Sequence, residues 1–264
     1  RAQDDTMDAY ILDAIRTPIG KRDGALAHIR PDVLAGDNLK ALVGRTGVDP
    51  AAIEDVVMGC VTQAGEQAMD VGRLAALAAG FPISVPGTTV NRLCASSLQA
   101  VNFAAQAVAS GAMDVAIGAG VESMSRCPMG SDGGSFSDAV LDRFDIIPQG
   151  LSAELMVTKW GIGREELDAL SLRSHERALT AIEEGRFANE IHAVDGVERD
   201  EGPRPNSTLE KLASLRPAFR DDGAITAASS SQISDGAASL LVANARGADR
   251  LGIAPRARVR SMAV

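Results

Sequence analysis

Three cysteines stand at positions 60, 94 and 127, and one of them sits where a thiol can do chemistry. In Val90-Asn-Arg-Leu-Cys94-Ala-Ser-Ser a strand ends, the chain turns tightly, and a helix starts at or just after Cys94. Small residues Ala95, Ser96, Ala100, Ala104, Ala105, Ala107 and Ala109 occur on all sides of that helix, the pattern of a helix packed on every face. A helix N-terminus points free N–H groups and the positive end of its macrodipole at whatever lies ahead. A thiolate is stabilised in such a place and becomes a nucleophile near neutral pH. The same N–H groups can hold an oxyanion formed during acyl transfer. The competing reading is a small buried hydrophobe, which most free cysteines are, and position alone leaves both open. Cys60, inside an apolar strand, and Cys127, in a loop before Pro128, read as inert.

Composition narrows the chemistry further. An odd number of widely spaced cysteines with no Cys-x-x-Cys pair argues against a disulfide framework or a zinc site, so no metal is expected, and for a reducing compartment, the cytoplasm. The 26 basic and 35 acidic residues leave a net charge of −9, which makes nucleic acid an unsuitable partner. With 264 residues, 45% hydrophobic and 23% charged, the chain has material for one large core. No segment reads as a targeting signal or membrane span. The uncharged run from Leu93 to Met113 is long enough to cross a bilayer, but Ser96, Ser97, Gln99, Asn102, Gln106, Ser110 and Gly111 make it too polar. Arg1 to Thr6 are polar and precede Met7, so Met7 is read as the native start.

The elements that must position Cys94 follow an α/β alternation. Strands are expected at Ala9–Ile15, Asp55–Val61, Thr88–Asn91, Asp114–Val121 and Ala237–Val242, with helices at Asp32–Arg45, Val71–Ala79 and Ala95–Ser110. This order predicts a mostly parallel, mixed sheet with helices on both faces. From Ser123 the chain changes character: Ser125 to Ser137 has loop composition, and helices follow at about Ser152–Lys159 and Glu165–Glu184. The second carries Glu165, Glu166, Asp168, Arg173, Glu176, Arg177, Glu183 and Glu184, so one face must lie in water. Arg186 to Ser207 reads as extended or loop, and Arg256 to Arg260 alternates like an edge strand. The expected organisation is a core over 7–120, a mainly helical and loop insertion over 121–228, and return strands over 229–264. An excursion of that size usually covers a site.

Several ordered motifs resemble the thiolase family. Asn91-Arg-Leu-Cys-Ala-Ser-Ser97 with Ala116-Ile-Gly-Ala-Gly-Val-Glu-Ser-Met-Ser125 is similar to its nucleophile region. Arg16-Thr-Pro-Ile-Gly20 resembles its first loop, and Gln67 and Arg73 match the loop into the second helix. Gln149-Gly-Leu-Ser-Ala-Glu154 resembles the motif opening the insertion. Asp200-Glu-Gly-Pro-Arg204 and Leu215-Arg-Pro-Ala-Phe219 match the coenzyme A loops, and Ala227 to Ala237 resembles the return strand. The resemblance implies a thiolase-like N-terminal half in which Cys94 takes the acyl group as a thioester, with its own N–H in the oxyanion hole. It implies that Ser231 bonds the pantetheine arm, Phe219 lines it, Arg204 meets the adenine and 3′-phosphate end, and Gln149 joins the coenzyme A site. Each has a plainer reading: a solvated arginine, a serine bending its turn, a phenylalanine packed in a core.

Coenzyme A and acyl-coenzyme A are implied as substrates, with no permanently bound cofactor. A homodimer or homotetramer is implied as well, with Gln67 to Arg73 reaching toward the neighbouring subunit. The family's second half supplies an Asn-Glu-Ala-Phe motif, a Gly-His-Pro motif with the activating histidine, and a second cysteine, and none of these motifs occurs here. His28, His175 and His192 read as solvent-exposed. The chain therefore reads as the N-terminal domain and insertion of a thiolase whose C-terminal domain lies elsewhere, on a separate half or a longer chain. Pro148-Gln149-Gly150 stands where biosynthetic members carry a histidine, which favours a degradative 3-ketoacyl-cleaving type, as in β-oxidation. The alternative is an incomplete fragment or split subunit that binds coenzyme A or a partner half without turnover.

Overall fold

The computed structural model describes residues 8–264, so the expected start at Met7 lies outside the described residues. Seven strands form one mixed sheet in the order β4-β3-β5-β6-β1-β7, with β2 paired to β6. They are β1 (Tyr10–Arg16), β2 (Gly20–Lys21), β3 (Val56–Gly59), β4 (Gly87–Val90), β5 (Val115–Ser123), β6 (Ser234–Ala243) and β7 (Ala257–Arg258). β3 pairs in parallel with both β4 and β5. β6 lies antiparallel between β5 and β1, with Val115 opposite Ala243 and Ser123 opposite Asp235. The strands β1, β3, β4 and β5 thus share one direction, as the α/β alternation predicts. β6 runs against them because it enters from the excursion rather than from a right-handed crossover.

The two faces of the sheet are built differently. α1 (Pro31–Thr46) and α2 (Val71–Ala78) cover one face, where Leu12, Leu34, Leu39, Leu42, Val56, Met58, Val71, Ile117 and Leu241 form the main core. Each such side chain contributes about 1.5–3 kcal/mol when fully buried. The other face carries α3 (Ser96–Ala109) over a smaller cluster of Ala9, Ala104, Ala105, Val108, Ala116 and Val242. Strand alternation explains the split: along β5, Val115, Ile117 and Ala119 point to the main core, and Ala116, Gly118 and Gly120 fall on the α3 side. A Cβ on Gly118 would lie 2.7 Å from Val101 Cα, and on Gly59 it would overlap the Ser96 and Ser97 backbone. Glycine there lets the helix settle directly onto the strands.

Among the described residues α3 leaves one face open: Leu98 is 56% and Phe103 is 40% exposed, and Gln106 is exposed as well. The all-round packing read from its small residues is therefore not completed by this chain, and the open face is apolar in part. Small side chains permit close packing on one face without requiring it on the others.

Contacts gather the chain into two compact units. The first holds the sheet and comprises the residues up to Asp132, Ala188–Glu201 and Ile233–Val264. Residues 188–201, read from sequence as part of a polar loop, return to it because Arg16 pairs with Glu190 at 2.7 Å and Asp200 at 2.7 Å. The second comprises Gly133–Phe187 and Gly202–Gln232, with α4 (Asp138–Leu141), α5 (Gln149–Trp160), α6 (Arg164–Glu183) and α7 (Leu209–Ala213). α8 (Ala245–Leu251) closes the first unit after β6. Asp168, grouped in sequence with the water-facing charges of α6, is buried instead. Arg164, one turn earlier, bonds it at 2.8 Å and ties it to the Leu212 and Leu215 carbonyls. No described helix is long and apolar enough to cross a membrane.

Candidate active site

Cys94 stands in a five-residue turn between β4 and α3, and its side chain is exposed. Two side chains hold the turn. Asn91 Oδ1 accepts from the Leu93 N–H at 2.8 Å, and Asn91 Nδ2 donates to the Val61 carbonyl at 2.9 Å. Ser96 Oγ accepts from the Arg92 N–H at 2.8 Å and donates to the Leu93 carbonyl at 2.6 Å. Between them Leu93 adopts φ +48°, a left-handed conformation that a side chain with a Cβ rarely takes. The result is a sharp bend that presents the thiol at the head of α3, beside first-turn N–H groups with no partner inside the helix.

The other two cysteines differ in kind. Cys60 and Cys127 are buried. Burial pushes the Cys60 thiol strongly up, with Glu122 adding to the effect, so it stays protonated. Cys127 Sγ lies 3.4 Å from the Ala64 carbonyl. Among the three cysteines Cys94 is thus the accessible thiol, and Cys60 and Cys127 are enclosed.

Beside the turn runs a polar network that sequence reasoning missed. Gln67 is fully buried; its Nε2 donates to Glu122 Oε1 at 2.7 Å and to the Thr62 carbonyl at 2.7 Å, while its Oε1 accepts from the Ser123 N–H at 2.7 Å. Glu122 accepts from the Val61 and Thr62 N–H groups at 2.9 and 3.3 Å. Gln67 therefore does not reach toward a neighbouring subunit; its amide is consumed inside the first unit. The exposed residue of that loop is Met69, at 89%.

Gln149, Arg204, Phe219 and Ser231 all fall in the second unit. Phe219 is 45% exposed, and a Cβ on Gly150 would overlap its ring, so Gly150 makes a seat for the aromatic. Gln149, exposed, begins α5 beside that glycine. The loop bearing Phe219 closes through Ala218 N–H to the Ile225 carbonyl at 2.8 Å. Buried Glu154 anchors it by accepting from the Ala224 and Ile225 N–H groups at 3.0 and 2.9 Å. Turn bending falls to Ser229 and Ser230, which bond the Thr226 backbone, and Ser231 is exposed. Arg204 is exposed, and its N–H donates to His175 Nδ1 at 3.3 Å.

A family model described as "Thiolase, N-terminal domain" matches residues 9–246. The chain belongs to the thiolase family. It is 46% identical to a steroid 3-ketoacyl-CoA thiolase of Mycobacterium tuberculosis, over 96% of this chain and 66% of that protein. It is 42% identical to a β-ketoadipyl-CoA thiolase of Pseudomonas aeruginosa, over 97% of this chain and 71% of that protein. A crystal structure of the Bacillus anthracis acetyl-CoA acetyltransferase superposes with a TM-score of 0.85 at 37% identity, covering 96% of this chain and 69% of that one. The thiolase chain described here thus spans about two thirds of the length of the relatives it matches.

Each of the three histidines of this thiolase chain has a partner other than Cys94. His28 pairs with Asp195 at 2.8 Å and His192 with Asp37 at 2.9 Å, while His175 accepts from the Arg204 backbone. His175 and His192 are half-buried rather than solvent-exposed, because each fills a hydrogen-bonding gap between segments distant in sequence.

Proposed function

We propose that this chain carries the nucleophile of a thiolase that cleaves or forms 3-ketoacyl-coenzyme A, of the degradative type. The observation that carries the reading is the exposed Cys94 thiol, held on a fixed turn at the head of α3 while Cys60 and Cys127 are enclosed. In cleavage, Cys94 Sγ attacks the C3 carbonyl and the C2–C3 bond breaks. The acyl group stays on sulfur as a thioester, and acetyl-coenzyme A leaves once its carbanion takes a proton. The thiol of a second coenzyme A then takes the acyl group, and Cys94 regains its proton. The Cys94 N–H and the first turn of α3 supply donors for the tetrahedral oxyanion. The proton carriers, a histidine and a second cysteine in the family, are not supplied by His28, His175 or His192.

Coenzyme A enters as substrate rather than as a resident cofactor. Phe219 on its Gly150 seat lines the pantetheine arm, with Ser231 and Gln149 alongside and Arg204 at the 3′-phosphate end. The protein works as a homodimer or homotetramer in the cytoplasm, and β4, paired with β3 on one side and at the end of the sheet on the other, offers an outer edge for association.

Intact-mass analysis with acetyl-coenzyme A tests the reading. A covalent adduct of about 42 Da on the 27.4 kDa chain, absent in Cys94→Ala, is expected for an acylated thiol. No adduct, with coenzyme A binding retained, would favour the second reading: a subunit that binds without turnover, which the engagement of all three histidines elsewhere supports.

A further inference from the structure

We infer that Asn91 is a positioning residue for Cys94, which it holds in place through the strained turn, and that the Glu122–Gln67 pair anchors it. The inference rests on the reading of Cys94 as the nucleophile.

The connection can be followed bond by bond. Gln67, fully buried, bonds Glu122 at 2.7 Å. Glu122 grips the backbone after β3 at the Val61 and Thr62 N–H groups. The Val61 carbonyl, on that same short segment, receives Asn91 Nδ2, and the opposite end of the Asn91 amide receives the Leu93 N–H. The amide therefore spans a fixed segment and the residue next to the nucleophile. Leu93 needs that grip: at φ +48° a non-glycine residue stores about 1–3 kcal/mol, and persists there only when its surroundings over-determine it. Among the described residues apolar packing supplies little of the restraint, since Leu93 is 68% exposed. The restraint comes from Asn91 on one side and Ser96 on the other. Relaxing φ at Leu93 to its ordinary negative value would rotate the following peptide and carry the Cys94 thiol off the head of α3.

Asparagine suits the task because one group must donate and accept at once. Aspartate keeps the acceptor for Leu93 N–H and loses the donor to Val61. Alanine loses both.

The test measures the rate of Cys94 alkylation by iodoacetamide at pH 7, site-resolved by peptide mass, in the parent, Asn91→Ala, Asn91→Asp and Asn91→Ala/Leu93→Gly. Thermal midpoints are recorded alongside. Asn91→Asp, which loses one bond, is expected to slow alkylation about fivefold, the scale of one net hydrogen bond, and Asn91→Ala, which loses both, about thirtyfold. Leu93→Gly, which removes the left-handed penalty, should return most of the rate to Asn91→Ala. A purely structural role would lower the midpoint without this second-site rescue. Unchanged alkylation in Asn91→Ala, or a loss that Leu93→Gly does not repair, overturns the inference. If Asn91→Ala fails to fold, Asn91→Asp against Asn91→Asp/Leu93→Gly makes the same comparison. Alkylation needs no coenzyme A, so a parent that alkylates normally but never acylates would sink the functional reading and leave this one standing.

Discussion

In the sheet-bearing unit Leu12, Leu26, Leu34, Leu39, Leu42, Met58, Ile117 and Leu241 are all fully buried, whereas among the described residues of the second unit the buried hydrophobic side chains are Leu212 and Ile225. The deepest large side chain there is a carboxylate, Glu154, at 1% exposure. The first unit is held by apolar area, which is non-directional and shared among many neighbours. The second is held by a few directional bonds: Glu154 to the 224–225 backbone, and Arg164 to Asp168 and the carbonyls near α7. Each is costly to break, because its loss leaves a buried group unsatisfied. Such a unit sits toward the low end of local stability. With so small a core it leaves Phe219 and Arg204 exposed.

The contrast can be attacked from either side. The largest effect is expected from Gly59→Ala, which drives a methyl group into the Ser96–Ser97 backbone. It should cost about 3 kcal/mol or more, as overpacking of a tight contact does. Urea unfolding followed by far-UV circular dichroism reads it, and a cost below about 1 kcal/mol would mean that α3 can lift off the sheet freely.

Next in size is Glu154→Ala, expected to cost about 1–3 kcal/mol by orphaning two N–H groups, and to do so locally. Hydrogen exchange should accelerate over residues 217–226 and stay unchanged in β5. Trp160, the single tryptophan, ends α5, so its fluorescence reports on the second unit. In the variant that signal should change at lower urea than circular dichroism does. Coincident transitions would show that the two units unfold as one.

The smallest effect concerns Asp55, whose Oδ1 is buried without a partner. Burial holds its carboxyl above the usual aspartate value of 3.8, and Asp70 adds to the shift. The folded chain therefore binds this proton more readily than the unfolded chain. Stability falls as pH rises from the unfolded to the folded pKa, and stays lowered above it. Asp55→Asn should raise the urea midpoint at pH 7, with the advantage shrinking once pH drops below that window. An advantage that is flat with pH would assign the effect to packing rather than charge.

Much of the fold was legible locally. The segments expected at Asp32–Arg45 and Ala95–Ser110 are α1 (Pro31–Thr46) and α3 (Ser96–Ala109), and the strand expected at Asp114–Val121 is β5 (Val115–Ser123). Their hydrophobic periods and their bounding Gly and Pro residues lie within one short window. α5 begins at Gln149, three residues ahead of expectation, and the contact that Gly150 makes with the Phe219 ring, from a residue nearly seventy positions on, has no local signal. In the candidate site, Cys94 was singled out from its position, and Asn91 and Gln67 were in view only as motif letters. Nothing in their spacing shows that Val61 and Glu122 connect them.

The sequence by itself determined the alternation of strands and helices, the surplus of acid, and the cysteine placed at a strand-to-helix turn, all set by short-range sterics and periodicity. Only the tertiary structure decided that β6 runs against its neighbours and that Gln67 serves the interior. It also decided that Leu93 can hold a left-handed turn. Each of these depends on contacts between residues far apart in the chain, whose energies exist only once the folded backbone has brought them within hydrogen-bonding or van der Waals range.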